Sequence, residues 1–224
     1  MDIQYFLTKR LNFIKQFYSV SAAPFIEKKR MIELQEKPYV PPYSEDGEPP
    51  FLEEWIEADE SLHVLAYSCI SMLSAALQLY FSTWVKQSAI PVSENARKGK
   101  FEKGWLVGYK SLFTQHFEID FKDAPVNFKI LEEVILARNR IEHPSFISSN
   151  RTQFLSADLA KLHRPFFVDE QEAQLISVSG NDGRSWFLPP TLHISQEQLF
   201  EAIAEVQRLT QWFELQIECH LYPK

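Results

Sequence analysis

Arg138, Asn139, Arg140, Glu142 and His143 crowd the end of the segment VILARNRIEHPSF, and no other stretch of the sequence gathers side chains so suited to chemistry. Histidine titrates near neutral pH and takes up or releases a proton, whereas a guanidinium grips a phosphate by a planar two-point contact and stabilises charge as it builds. Asn139 and His143 are four residues apart and share a helical face, so the amide can orient the imidazole or share a ligand with it. Arg138 lies five residues before His143, which on a straight helix turns it about 140° away over about 7.5 Å. The two converge on one phosphate only if the arginine reaches round, the helix breaks at Pro144, or a second subunit contributes. Such a pair suffices for metal-independent cleavage of RNA. A base activates the 2′-hydroxyl against the adjacent phosphorus and the arginine stabilises the crowded phosphate, whereas DNA lacks that hydroxyl.

The same residues have an ordinary structural account. Arg138 and Glu142 lie at i, i+4, where an exposed ion pair adds a few tenths of a kcal/mol. His143 sits where a helix C-terminus favours a cation or a donor. Arg140 reads as a solvated side chain or as one member of a basic patch with Arg151, Lys161, His163 and Arg164. Residues 138–164 are thus locally positive in an acidic protein, a pattern that suits phosphate. Elsewhere the sequence has no Gly-rich phosphate loop, no Cys-x-x-Cys, no His-Glu-x-x-His and no Gly-x-Ser-x-Gly. Its six histidines show no metal-ligand spacing, so neither a metal nor a cofactor is expected. His63, inside an apolar run, reads as a hydrogen-bonded core histidine.

Periodicity defines the elements that must position these groups. Ile3, Phe6, Leu7, Leu11, Ile14 and Phe17 predict an amphipathic helix over about residues 2–19. Ser21 and Pro24 predict the start of a second, ended by Pro38. The Pro-rich tract 37–50 is a loop, followed by a long helix from about Phe51 to Gln87. A polar connection precedes a helix over 101–117, and the next helix, with Asp123 as N-cap and Pro125 in its first turn, runs to His143. Pro144 disfavours helical geometry at His143 and stops it there. A short helix over 156–163 follows, and the turn SGNDGRS between β-branched and aromatic runs predicts a β-hairpin. Ser195 and Gln198 form a capping box that opens a closing helix to about His220.

Composition agrees with a mainly α protein. Six glycines against eighteen phenylalanines and five tryptophans favour long elements over many tight turns. The net charge of −7 excludes a broadly basic nucleic-acid surface, so any phosphate contact must be local. Cys69 and Cys219 read as free thiols, and the N-terminus has no secretory pattern, so a cytoplasmic location is expected. Ser61–Val85 carries no formal charge and is long enough to span a bilayer. Its serines and Gln78, recurring at intervals of three and four, fit the central helix of a soluble bundle better, and no membrane is expected as a partner.

With these elements in place, RNRIEH resembles the Arg-Asn-x-x-x-His motif of HEPN domains. The resemblance implies an α-helical bundle of long antiparallel helices, here with a small β-hairpin inserted, forming a single domain over residues 1–224. Residues 51–146 would be the bundle core carrying the motif, 1–50 the N-terminal helices and loop, 147–194 the hairpin insertion and 195–224 the closing helix. It also implies a homodimer meeting across the motif helix, acting as a metal-independent endoribonuclease or RNA-binding protein of a toxin–antitoxin or phage-defence system, with an antitoxin or other protein as partner. By motif, Arg138 and His143 would be the catalytic pair and Asn139 the polar residue beside the arginine, with Arg140, Arg151, Lys161 and Arg164 binding substrate. The alternative is a non-catalytic helical module for dimerisation or for binding a partner or nucleotide, in which Arg138 and His143 are structural.

Overall fold

The structure, a computed structural model, describes residues 2–42, 49–90, 99, 101–144, 147, 149–162, 164–178 and 190–221. Among them are seven α-helices: α1 Ile3–Glu33, α2 Leu52–Gln87, α3 Trp105–Phe117, α4 Phe128–Glu142, α5 Ser156–Leu162, α6 Glu170–Val178 and α7 Gln196–Leu221. A single 3₁₀ turn, Phe121–Asp123, joins α3 to α4.

The charge-free stretch of the sequence becomes the centre of the fold. α2 packs against α1, α3, α4 and α7, and Ala66, Cys69, Ile70, Leu73, Leu77 and Phe81 on it are all but inaccessible to solvent. By length and composition α2 could cross a membrane, but 61% of its most apolar window is buried inside the chain. Burial pushes the Cys69 thiol up to about 11, so it stays protonated and inert. Phe213 of α7 is the junction of the core. Its ring meets Phe113 at 4.7 Å, Phe81 at 5.4 Å and Phe121 at 5.9 Å, which locks α7 to α2, α3 and the 3₁₀ turn.

Three elements differ from their sequence expectation. The break expected between residues 19 and 21 is absent: α1 runs on through Pro24 to Glu33. Its buried stripe of Ile3, Leu7, Leu11, Ile14, Tyr18 and Ala22 keeps helical phase against α2, so packing carries the helix past the proline. Pro24 cannot donate to the carbonyl of Val20, and because Val20 is 66% exposed, water can take the vacant acceptor.

The start of α4 also moves. Asn127, not Asp123, caps it, its side chain accepting the Lys129 amide at 3.1 Å. Buried Phe121 holds Asp123 in the 3₁₀ turn, and the chain passes through extended Ala124 and a tight turn across Pro125, closed by Val126 N–H to Ala124 O at 2.8 Å, before a helix can begin. The third difference is in the expected hairpin. Ahead of the expected SGNDGRS turn, Glu170–Val178 is helix α6, and the turn itself, within 179–189, lies outside the described residues. What pairs instead is an isolated antiparallel bridge between Gln153 and Thr191, flanked by Leu192 N–H to Thr152 O at 2.7 Å.

The closing helix follows the expected chemistry. Ser195 donates its amide to the Gln198 side chain at 2.8 Å, and the Ser195 hydroxyl accepts the Gln198 amide at 3.2 Å, a reciprocal capping box. Because Phe213 joins four elements, Phe213→Ala should lower the unfolding free energy by about 3–5 kcal/mol, read as an earlier urea midpoint with unchanged slope.

Candidate functional site

α4 presents the motif because its other face is committed to the core. Ile130, Leu131, Val134 and Ala137 are buried, which turns Arg138, Asn139 and Glu142 outward. Arg138, half exposed, forms an ion pair with Glu142 one turn on, and its Nη1 donates to Asn139 Oδ1 at 3.1 Å. The Asn139 carbonyl in turn accepts the His143 amide at 3.2 Å. Asn139 thus touches both neighbours, Arg138 through its side chain and His143 through its backbone. His143 is exposed and ends the helix with φ −128° and ψ 66°, far from helical values. The break demanded by Pro144 therefore falls on the histidine itself, while its amide keeps the helical bond to Asn139, and no hydrogen bond joins the Arg138 and His143 side chains among the described residues.

The other basic residues divide into two kinds. Arg140 donates Nε and Nη2 to the carboxylate of Asp158 at 2.7 and 2.8 Å, and Asp158 is only 1% exposed. The same carboxylate accepts the Leu155 amide at 2.9 Å, so Arg140 clamps the start of α5 to α4. Arg151 is tied to Asp59 of α2. Lys161 and Arg164 are exposed, and His163 lies outside the described residues. Buried Glu133 of α4 accepts the amides of Phe166 and Phe167 at 2.8 and 2.7 Å, and burial raises its pKa despite those two bonds. Arg140 and Glu133 therefore fasten to the motif helix the stretch of chain that carries Lys161 and Arg164. Of the four residues expected to bind substrate, two serve as anchors and two face solvent.

A second cluster was only half legible in the sequence. Asp59 and His63, one turn apart on α2, are both buried, and His63 Nδ1 lies 2.8 Å from the Asp59 carbonyl. A carbonyl only accepts, so Nδ1 carries the proton, and His63 Nε2 lies 3.2 Å from His193 Nδ1, where one ring nitrogen donates to the other. The Asp59 carboxylate takes Lys29 at 2.5 Å as well as Arg151. Burial alone would raise its pKa, but the hydrogen bond and charge of Lys29, with His63 and Arg151, outweigh burial and hold it low. Tyr67 adds a bond from its hydroxyl to Leu192 O at 2.7 Å. This network fastens the segment after the motif, and the strand-like segment 190–193, to α1 and α2. No group of three His, Cys, Asp or Glu with metal-binding geometry is present among the described residues. The i, i+4 spacing of Asp59 and His63 is readable from sequence, whereas the approach of Arg151 and His193 depends on the fold.

No family model, curated protein or solved structure matches this chain.

The histidine pair gives the fold a pH dependence. Burial, then the neighbouring His63, push His193 below its usual 6.5. A base depressed in the folded state is protonated first in the unfolded chain, so its contribution to stability falls as pH drops below that value. Glu133, Glu172 and Glu214, all raised by burial, titrate with the opposite sign, which makes the comparison with a variant decisive. In urea unfolding between pH 7.5 and 5.5, wild type should lose stability relative to His193→Gln as pH falls; parallel curves would contradict this account.

Proposed function

We propose that this protein is a HEPN-like, metal-independent endoribonuclease of the kind used in toxin–antitoxin or phage-defence systems, and that the end of α4 is its active site. The observation that supports the reading is the Arg138–Asn139 side-chain bond one turn before an exposed His143, whose backbone leaves helical geometry. His143 takes the proton from the attacking 2′-hydroxyl and, once protonated, returns one to the leaving 5′-oxygen. Arg138 grips the phosphate and stabilises its crowded transition state. Asn139 positions the guanidinium. Glu142 holds Arg138 until a phosphate displaces it, and Lys161 and Arg164 supply diffuse positive charge for the rest of the strand.

A second reading is favoured by one observation, the Arg138–Glu142 ion pair, which satisfies the arginine without substrate. In that reading the helix end is a non-catalytic docking element. The two separate on matched RNA and DNA oligonucleotides incubated in EDTA. The nuclease reading expects wild type to cut RNA alone, leaving a 2′,3′-cyclic phosphate, and His143→Ala to be slower by about 10²–10⁴-fold. Intact RNA with wild type, or equal cleavage by the variant, would leave the docking reading.

A further inference from the structure

Glu142 stands where a carboxylate does its own helix no good. It is the last residue of α4, and the unsatisfied carbonyls of a helix C-terminus disfavour an anion there. Its pairing with Arg138 also has the weaker polarity, because an i, i+4 ion pair supports a helix better when the acid lies on the N-terminal side. Both side chains are more than a third exposed, so burial does not account for the contact either.

What the contact does is occupy the arginine. Nη2 of Arg138 is taken by the Glu142 carboxylate and Nη1 by Asn139 Oδ1 at 3.1 Å, so both terminal nitrogens hold acceptors from the same helix. A carboxylate and a phosphate diester each offer a guanidinium a pair of charged oxygens, and they compete for it. While Glu142 stays, the guanidinium charge is matched, and a phosphate joining it would set two anions on one cation. Arg140, the basic residue of the last turn, gives no second seat, because Asp158 holds both its Nε and its Nη2.

We infer that Glu142 is an autoinhibitory side chain: its carboxylate fills the phosphate seat on Arg138, so the site rests closed and opens when an RNA phosphate exchanges with it. This rests on the reading of the α4 end as an RNA site and adds how that site is held off. Substrate binding is then an exchange of one anion for another on Arg138, and removing the carboxylate strengthens it without touching the chemical step.

Fluorescence anisotropy with a 2′-O-methyl oligoribonucleotide in EDTA, together with cleavage kinetics on the matching RNA, tests this on the full chain. Glu142→Gln should bind about threefold more tightly than wild type and cut with KM lowered in proportion and kcat unchanged. Its thermal midpoint should equal or exceed that of wild type, since the variant removes an anion from a helix C-terminus. Glu132→Gln, which removes the same charge from an exposed position near the start of α4, should leave affinity as in wild type. In an Arg138→Gln background, Glu142→Gln should no longer change affinity. Wild-type affinity in Glu142→Gln, an equal gain in Glu132→Gln, a gain that persists without Arg138, or a destabilised Glu142→Gln would overturn the autoinhibitory role while leaving the RNA site standing. Absence of RNA binding by wild type and Glu142→Gln alike would overturn both.

Discussion

The need to bury α2 governs the rest of this molecule. A helix of 36 residues with no formal charge from Ser61 to Val85 cannot stand in water, and the chain answers by laying α1, α3, α4 and α7 against it. Each covering helix is amphipathic because one side must meet α2. α4 therefore arrives with its apolar face fixed, and the direction in which Arg138, Asn139 and Glu142 point follows from that packing rather than from any local preference. The position of the chemical groups is a consequence of the core.

Buried polar anchors then fix what packing alone would leave loose. Past Glu142 the chain has few long helices to bury, and it is held by carboxylates instead. Asp158 receives Arg140, Glu133 receives two backbone amides, and Asp59 receives Lys29 and Arg151. A buried carboxylate without such partners would be costly to charge, so these contacts specify one arrangement of the 149–168 stretch. They also explain why a locally basic sequence does not give a uniformly basic surface. Two of its arginines, Arg140 and Arg151, are paired with carboxylates in holding the chain, whereas Lys161 and Arg164 are exposed.

What could be read from sequence was the part governed by local periodicity and stop signals. The extent of α2, the end of α4 at His143 and the capping box of Ser195 and Gln198 all rest on neighbours within four residues, and each is found as expected. The misreadings arose where distant packing overrides a local signal. Pro24 marks a helix start in isolation, yet α1 continues because six buried residues hold its phase. Asp123 and Pro125 form a good capping signal, but the burial of Phe121 against Phe213 commits that turn elsewhere. At the site, the i, i+4 relation of Arg138 to Glu142 was legible, whereas the pairing of Arg140 with Asp158 and of Arg151 with Asp59 joins residues 18 and 92 positions apart.

The central claim is that the end of α4 handles an RNA phosphate with His143 at its centre. The most direct measurement follows the histidine ring protons by NMR while a 2′-O-methyl oligoribonucleotide, which cannot be cut, is titrated in EDTA. The account predicts that the His143 resonance, assigned by its loss in His143→Ala, moves on binding while those of buried His63 and half-buried His193 stay in place, and that Arg138→Lys weakens the effect. Binding that leaves the His143 resonance unmoved, or no binding at all, would contradict it.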